Sequence, residues 1–152
     1  MVVHNRSRGA VDELVAEGAS AANSPKEVAE QVDIVFTNLP DSPDVEKVAL
    51  DAVNGIIVGG RKGLIVVDNS TIKPASARLI AAKLKEKDIF SLDAPVSGGD
   101  IGAKNGTLTI MVGGQAEALE KVMPVFQSMG KTVTHVGEAG AGQVAKAANQ
   151  IM

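Results

Sequence analysis

Short apolar runs rich in β-branched residues alternate with longer helical patterns along the chain, and this alternation limits the fold more than any other feature. Strands that alternate with helices favour parallel pairing through crossover helices. The runs 34–36 and 64–67 are continuously apolar, as expected for strands covered on both faces of a parallel sheet. The sequence therefore predicts an α/β, doubly wound, mostly parallel sheet. Its predicted strands are Val2–His4, Asp33–Leu39, Leu64–Asp68, Ile89–Asp93, Thr107–Val112 and Thr132–Val136.

Capping and stop signals locate helices between these strands. One helix is predicted to begin after Ser24, where Glu27 can close a capping box, and to run to about residue 32. Others are predicted from near Pro74 and over about 116–129, where a glycine follows. The stretch from Ala94 to Gly106 is predicted instead to be a long glycine-rich loop, and such loops are often functional.

Composition excludes several classes of protein. The chain has 152 residues, 45% of them apolar, which suits one domain with a sizeable core. A net charge of -3 and an aromatic content of 2% argue against a basic, base-stacking nucleic-acid surface. No apolar run approaches the roughly 18 residues of a membrane span, so we expect a cytoplasmic protein that neither binds nucleic acid nor enters a membrane.

The sequence has few side chains that could support thiol or metal chemistry. The chain contains no cysteine, which excludes disulfides, a thiol nucleophile and a cysteine-bound zinc ion. His4 and His135 stand singly at the ends of apolar runs, where a packed or surface histidine is far commoner than a metal ligand. We therefore predict no metal site.

Polar residues follow three of the predicted strands, at the sheet edge where ligands collect in open parallel sheets. Asn5-Arg6-Ser7 places a cation and a hydroxyl after the first strand, where they can hold the ribose 2′-phosphate of NADP. Leu39-Pro40 and Asn69-Ser70-Thr71 end two further strands. Ordinary turns and helix caps use the same residues, so both interpretations stay open for all three segments.

Ser97-Gly98-Gly99 is more informative than these turns. A serine hydroxyl followed by two glycines presents a hydroxyl and unobstructed backbone amides to an anion. Pro95 precedes them and indicates a loop of defined conformation rather than a flexible one. A carboxylate is the ligand that we expect here.

The glycine-rich turn 137–142 opens the last predicted helix. Residues 140–145 match the dinucleotide pattern G-x-G-x-x-G/A, but a true fingerprint leads to a second strand and an acidic residue about 20 positions on, so we reject the match. The glycines instead allow a ligand or another backbone to approach the helix. Spacings of three and four place polar residues on one face, which is either solvated or lines a site: Gln143, Lys146, Asn149 and Gln150.

Three segments in this order, 93–99, 106–114 and 137–149, resemble the β-hydroxyacid dehydrogenase family, which includes 3-hydroxyisobutyrate dehydrogenase and tartronate semialdehyde (2-hydroxy-3-oxopropionate) reductase. The resemblance covers essentially the whole chain. It implies a Rossmann-like fold and hydride transfer between a nicotinamide cofactor and a small carboxylate-bearing hydroxy acid or semialdehyde. The stretch 98–109 is slightly closer to the tartronate semialdehyde branch.

The resemblance also implies roles for individual residues. Lys146 would be the catalytic acid/base, Asn149 its substrate-orienting partner, and Ser97, Gly98 and Gly99 the clamp for the substrate carboxylate.

For the cofactor, the resemblance places Asn5-Arg6-Ser7 at the adenine ribose, Leu39-Pro40 near the phosphate and ribose edge, and Ser70-Thr71 near the nicotinamide. Arg6 favours NADP over NAD. The family further implies that the parent enzyme is a homo-oligomer.

Two departures from the family pattern matter. We find neither the family's first strand with its glycine-rich turn nor its C-terminal all-helical domain, and so expect an internal fragment with little activity alone. We divide it into an incomplete NAD(P)-binding domain, 1–136, and the start of an interdomain helix, 137–152. The absent strand is expected to separate a half-sheet holding residues 2–39 from one beginning at residue 64. The alternatives are a noncatalytic ligand-binding or interaction module and a subunit completed by another chain.

Overall fold

A computed structural model describes residues 1–151 and places eight strands and eight helices in that range. The strands are β1 Val2–Val3, β2 Ser20–Ala21, β3 Ile34–Thr37, β4 Ile65–Asp68, β5 Phe90–Asp93, β6 Val96–Ser97, β7 Leu108–Gly114 and β8 Gly130–Gly137. The helices are α1 Arg8–Ala16, α2 Pro25–Gln31, α3 Ser42–Leu50, α4 Ile56–Gly59, α5 Pro74–Lys85, α6 Gly99–Asn105, α7 Ala116–Met129 and α8 Ala141–Ile151.

The strands form two sheets. β1 and β2 make a small parallel sheet, and a larger sheet has the order β3-β4-β5-β7-β6, with β8 pairing β7. The pairs β3–β4, β4–β5 and β7–β8 are parallel, whereas β7 runs antiparallel to β5 and to β6. This mostly parallel sheet with helices between its strands confirms the predicted Rossmann-like α/β class.

The division between the two sheets differs from the prediction. β3 pairs with β4 in a continuous parallel register from Ile34↔Ile65 to Thr37↔Asp68, so residues 34–37 belong to the larger sheet. The separation falls between β2 and β3, instead of between residues 39 and 64. Apolar patterning located each strand but carries no information on which neighbour it pairs with, and this is why the prediction was wrong.

Apolar residues fill both faces of the larger sheet. β4 is buried along its whole length, with Val66 packed in one core cluster and Ile65 and Val67 in the other. β3 is less covered than its continuous apolar run predicts, because Phe36 is 36% exposed and meets the ring of Phe126 edge-on at 6.1 Å.

Local sequence signals predicted several helices well. Ser24 caps α2 by accepting the N–H of Glu27 at 3.1 Å, and the Glu27 carboxylate accepts the backbone N–H of Asn23. α5 begins at Pro74 and α7 spans 116–129, as predicted.

The glycine-rich stretch 94–106 is not the loop predicted from its composition. It forms β6, which pairs antiparallel with β7, and then α6. Three of its four glycines lie at helix boundaries: Gly98 and Gly99 have φ of 135° and 59° at the start of α6, and Gly106 ends it in the left-handed conformation. These backbone angles require glycine for steric reasons, so glycine content here marks ordered turns rather than slackness.

No helix among residues 1–151 is long and apolar enough to cross a membrane. The same residues contain no group of three or more histidine, aspartate or glutamate side chains placed to hold a metal ion.

Candidate active site

The carboxyl ends of the central strands bring buried polar groups together. Thr37, Asp68, Asp93 and Gly113 are successive register partners across β3, β4, β5 and β7. The Thr37 hydroxyl donates to Asp68 Oδ1 at 2.8 Å. This row lies at the edge where ligands gather in open α/β sheets.

Asp68 organises the turn that follows β4. Its Oδ1 accepts the hydroxyl of Ser70 at 2.6 Å and the backbone N–H of Ser70 at 3.1 Å. Oδ2 is buried and has no hydrogen-bond partner within residues 1–151. Burial raises the pKa of the Asp68 carboxyl above its ordinary value, although the hydrogen bonds from Ser70 and Thr37 oppose the shift.

Asp93 ties the end of β5 to the start of α8. Its Oδ1 accepts the N–H of Gly140 at 2.7 Å, and its Oδ2 accepts the N–H of Gln143 at 3.0 Å. A carboxylate here satisfies orphan donors at a helix N-terminus and faces the positive end of the helix dipole. Burial raises the pKa of Asp93, while its hydrogen bonds from Gly140 and Gln143 favour the ionised form.

The glycines at the start of α8 serve close backbone packing. A Cβ on Gly142 would lie 2.5 Å from the carbonyl oxygen of Asp93 and 2.6 Å from that of Met111. The turn therefore lets the helix sit directly on β5 and β7. The amides of Gly140 and Gln143 are already bonded to Asp93, which supports our rejection of a phosphate-binding role for this glycine pattern.

One face of α8 carries Gln143 and the predicted catalytic residue, Lys146. Gln143 is 2% exposed and Lys146, one helical turn later, is 7% exposed. Lys146 makes no hydrogen bond or ion pair to the described part of the chain. A buried ammonium without a partner is costly, so such lysines are concentrated at functional sites.

Asn149 and Ser97 come together although 52 positions separate them. Asn149 Nδ2 lies 3.4 Å from Ser97 Oγ, at the long end of the hydrogen-bond range. Asn149 is exposed, and Ser97 is half-buried at the end of β6. Gly98 and Gly99 are exposed in the turn that follows Ser97. The structure thus places Asn149 of α8 beside the predicted carboxylate clamp.

The residues predicted to bind the cofactor lie on three strand ends. Ser70 is 2% exposed, and its hydroxyl both donates to Asp68 and accepts the N–H of Leu39 at 2.8 Å. Leu39 is half-buried, whereas Pro40 and Thr71 are exposed. The hydrogen bond between Ser70 and Leu39 joins two of the three predicted segments.

The third segment lies on the small sheet. Asn5, Arg6 and Ser7 are all exposed after β1, and Asn5 Nδ2 donates to Ser7 Oγ at 3.1 Å. Ser7 occupies the N-cap position of α1 without making a side-chain cap bond. Arg6 forms no ion pair with residues 1–151. Its guanidinium is therefore available to a ligand phosphate.

Sequence reasoning gave no role to two residues that hold the site together. Asp93 was part of a recognised motif, and Gln143 lay on the polar stripe, but their partners are 47 to 73 positions away. Local patterns carry no signal for such contacts. The only sequence signals for these supporting roles are that Asp93 ends an apolar strand and that Gln143 lies one helical turn before Lys146.

The fold is Rossmann-like, and the family model that this chain matches describes a dinucleotide-binding domain. Residues 1–137 match the family model described as the NAD binding domain of 6-phosphogluconate dehydrogenase.

Named relatives narrow this class further. The NAD-dependent L-serine dehydrogenase of Pseudomonas aeruginosa is 51% identical over 142 residues, which are 93% of this chain and 47% of the relative. The 2-hydroxy-3-oxopropionate reductase of Escherichia coli is 45% identical over 141 residues, 93% of this chain and 48% of the relative. The solved structure of Psf3 in complex with NADP+ and 2-OPP matches with a TM-score of 0.94 at 33% identity, over 99% of this chain and 53% of that one.

This chain belongs to the β-hydroxyacid dehydrogenase family. It spans about half the length of the curated relatives that it matches.

Proposed function

We propose that this chain supplies the cofactor-facing and proton-transferring part of an NAD(P)-dependent oxidoreductase acting on a small hydroxy acid or semialdehyde. The observation that carries the proposal is Lys146, a buried lysine without a partner among residues 1–151, on the helix whose Asn149 meets Ser97. The family and its named relatives support the same chemistry. The division into 1–136 and 137–152 and a homo-oligomeric parent enzyme stay predictions.

The exposed strand ends fit a nicotinamide dinucleotide. Arg6 offers a cation without an ion-pair partner in the described residues, and Asn5 and Ser7 offer polar groups beside it. Pro40 and Thr71 are exposed on the larger sheet, whereas Ser70 contributes through the backbone of Leu39 that it holds. These residues would hold the cofactor, and Arg6 favours the additional phosphate of NADP.

A bound nicotinamide would supply or accept the hydride. During reduction, the Lys146 ammonium would give a proton to the substrate oxygen as the carbonyl carbon is reduced, so a carbonyl becomes a hydroxyl and the lysine becomes neutral. During oxidation, the neutral amine would accept the hydroxyl proton.

A small carboxylate would complete the site. The Ser97 hydroxyl and the exposed backbone of Gly98 and Gly99 would bind the carboxylate, and Asn149 would orient the reacting oxygen. Relatives named for L-serine and 2-hydroxy-3-oxopropionate support this class of substrate.

An oxidoreductase assay with Lys146→Met and Lys85→Met tests the proposal. We expect the 152-residue chain to reduce 2-hydroxy-3-oxopropionate with NADPH slowly, well below the roughly 1 s⁻¹ at the low end of ordinary enzymes. Lys146→Met should abolish this rate. Lys85→Met, which removes an exposed lysine from the end of α5, should preserve it.

Two results would count against the proposal. A rate that survives Lys146→Met would remove the lysine from the chemistry. A wild-type rate at background would favour the noncatalytic ligand-binding module, and an ordinary turnover number would refute the expected low activity of this chain alone.

A further inference from the structure

The side-chain amide of Gln143 forms hydrogen bonds with the backbone on both sides of Thr71. Its Nε2 donates to the carbonyl oxygen of Ser70 at 2.8 Å, and its Oε1 accepts the N–H of Ile72 at 3.1 Å. Both hydrogen bonds are buried. Gln143 therefore holds the β4–α5 turn and leaves Thr71 exposed between two fixed neighbours.

The backbone of Gln143 is fixed as firmly as its side chain. Its N–H donates to Asp93 Oδ2 at 3.0 Å, while Gly140 N–H donates to Asp93 Oδ1 at 2.7 Å. Gln143 thus joins the end of β5 to the turn after β4. Lys146 lies one turn further along the same helix and is buried on the same side.

Ser70 extends these contacts to the segment that follows β3. The Ser70 hydroxyl donates to Asp68 and accepts the N–H of Leu39. A continuous set of hydrogen bonds therefore links Leu39, Ser70, Gln143 and Asp93, and all of them are buried except the part-buried one at Leu39.

The glutamine side chain suits this place because its amide offers a donor and an acceptor in one plane, as a peptide group does. Methionine has a similar length and flexibility but offers neither a strong donor nor a strong acceptor, so both backbone groups would lose their partners. Glutamate keeps the acceptor for Ile72 and, when ionised, loses the donor to Ser70.

We propose that Gln143 is a positioning residue that fixes Thr71 relative to Lys146. This inference rests on the proposed function, in which Thr71 lies near the nicotinamide and Lys146 transfers the proton. The spacing between hydride donor and proton donor is then set by a buried side chain that need not touch cofactor or substrate.

The test compares Gln143→Met with the wild-type chain without ligand. We expect the Ile72 amide to exchange with solvent at least about tenfold faster by NMR, because its acceptor is lost. We expect the rate at which an amine-specific reagent modifies Lys146 to rise at least about threefold, because the first turn of α8 is no longer tied to the turn after β4.

Two control variants separate positioning from general loss of stability. Gln127→Met makes the same change at an exposed position of α7 and should alter neither rate. Val122→Ala removes buried core volume from α7, outside the hydrogen bonds of Gln143, and should lower the melting temperature without selectively exposing Ile72 or Lys146.

A conservative variant keeps the test decisive if Gln143→Met folds poorly. Gln143→Glu should restore protection of the Ile72 amide, since it keeps the acceptor, and leave the Lys146 modification rate between those of the wild type and Gln143→Met. Unchanged rates in Gln143→Met, or the same selective changes in Val122→Ala, would overturn the proposal. If Gln143→Met does not fold, wild-type rates at both positions in Gln143→Glu would overturn it.

Adding NADP+ to the wild type separates this inference from the proposed function. NADP+ should slow modification of Lys146 if the cofactor binds beside it. An absence of protection would count against the proposed function, while the comparison without ligand would still decide the role of Gln143.

Discussion

The small sheet and the junction of α8 with the larger sheet are built very differently. In α1, which is fully described, Val11 is the only buried residue, and Leu14 and Val15 are 41% and 40% exposed. At the start of α8, by contrast, Asp93 and Gln143 are buried and bonded to backbone partners from distant segments. The proposed proton-transfer region is therefore pre-organised, whereas the segment proposed for the adenosine end lies on a lightly packed unit.

The largest expected effect on the free energy of unfolding comes from removing apolar side chains, and it should differ between the two regions. Phe126→Ala should lower the free energy of unfolding by about 3–5 kcal/mol, because Phe126 is fully buried and its loss leaves a cavity. Leu14→Ala on α1 should cost less than about 1 kcal/mol, because the side chain is already partly in water. Urea unfolding measures both, and equal losses would contradict the difference in packing between the two regions.

The next largest effect is the loss of stability on removing a carboxylate, which should be greater for Asp93 than for Asp12. Asp93→Ala should destabilise the fold by about 2–4 kcal/mol, because the buried N–H groups of Gly140 and Gln143 would lose their acceptor. Asp12→Ala removes an exposed ion pair with Arg8 and should change stability by less than about 1 kcal/mol. If the two substitutions had equal effects, Asp93 would not be what anchors α8.

A smaller effect is the dependence of stability on pH. Burial raises the pKa of Asp68 and Asp93 in the folded chain above the ordinary value of 3.8, so the folded state holds protons that the unfolded state has released. The contribution of these two carboxyls to stability should therefore fall as pH rises from about 3.8 through the raised pKa values, and level off above them.

Asp68→Asn provides the control for this pH effect. It removes one of the two titrating carboxyls and should flatten the fall in stability. Urea unfolding at a series of pH values measures the slope. The difference in stability between the wild type and Asp68→Asn separates this carboxyl from Asp51, whose pKa is lowered by backbone hydrogen bonds from Asn54 and Val53 and which contributes in the opposite direction. A difference that rises with pH across this range would contradict the direction of the Asp68 shift.

The smallest effect on stability belongs to Arg6. Arg6→Ala should change the free energy of unfolding by less than about 0.5 kcal/mol, because the side chain is exposed and forms no ion pair within residues 1–151. It should weaken binding of NADP+ more than binding of NAD+, as measured by NMR titration. Equal weakening for both dinucleotides would argue against a contact with the additional phosphate.

The sequence predicted what depends on near neighbours. Ser24 and Glu27 indicated the start of α2, and the continuous run before Asp68 indicated a strand buried on both faces. The two-residue strands β2 and β6 escaped prediction, because so short a run has no periodicity to detect. The glycines of α6 were mistaken for a loop because composition does not reveal which backbone angles are used.

For the candidate site, too, part could be predicted from the sequence and part could not. Lys146, Asn149 and the Ser97 turn were identified through the family resemblance, and the structure brings Asn149 and Ser97 together. The supporting contacts of Asp93 and Gln143 could not be predicted, because each partner depends on how the strands are ordered in the sheet. Strand order is a property of the whole chain rather than of any local segment.

NMR titration of the isotope-labelled 152-residue chain with NADP+ would show whether the three strand ends bind the cofactor beside Lys146. We expect amide shift changes that cluster at residues 5–7, 39–40 and 70–71, with a response of the Lys146 side chain, even if the affinity is low. No change at these positions up to millimolar NADP+, or changes confined to other surfaces, would contradict the claim that these strand ends hold the cofactor beside Lys146.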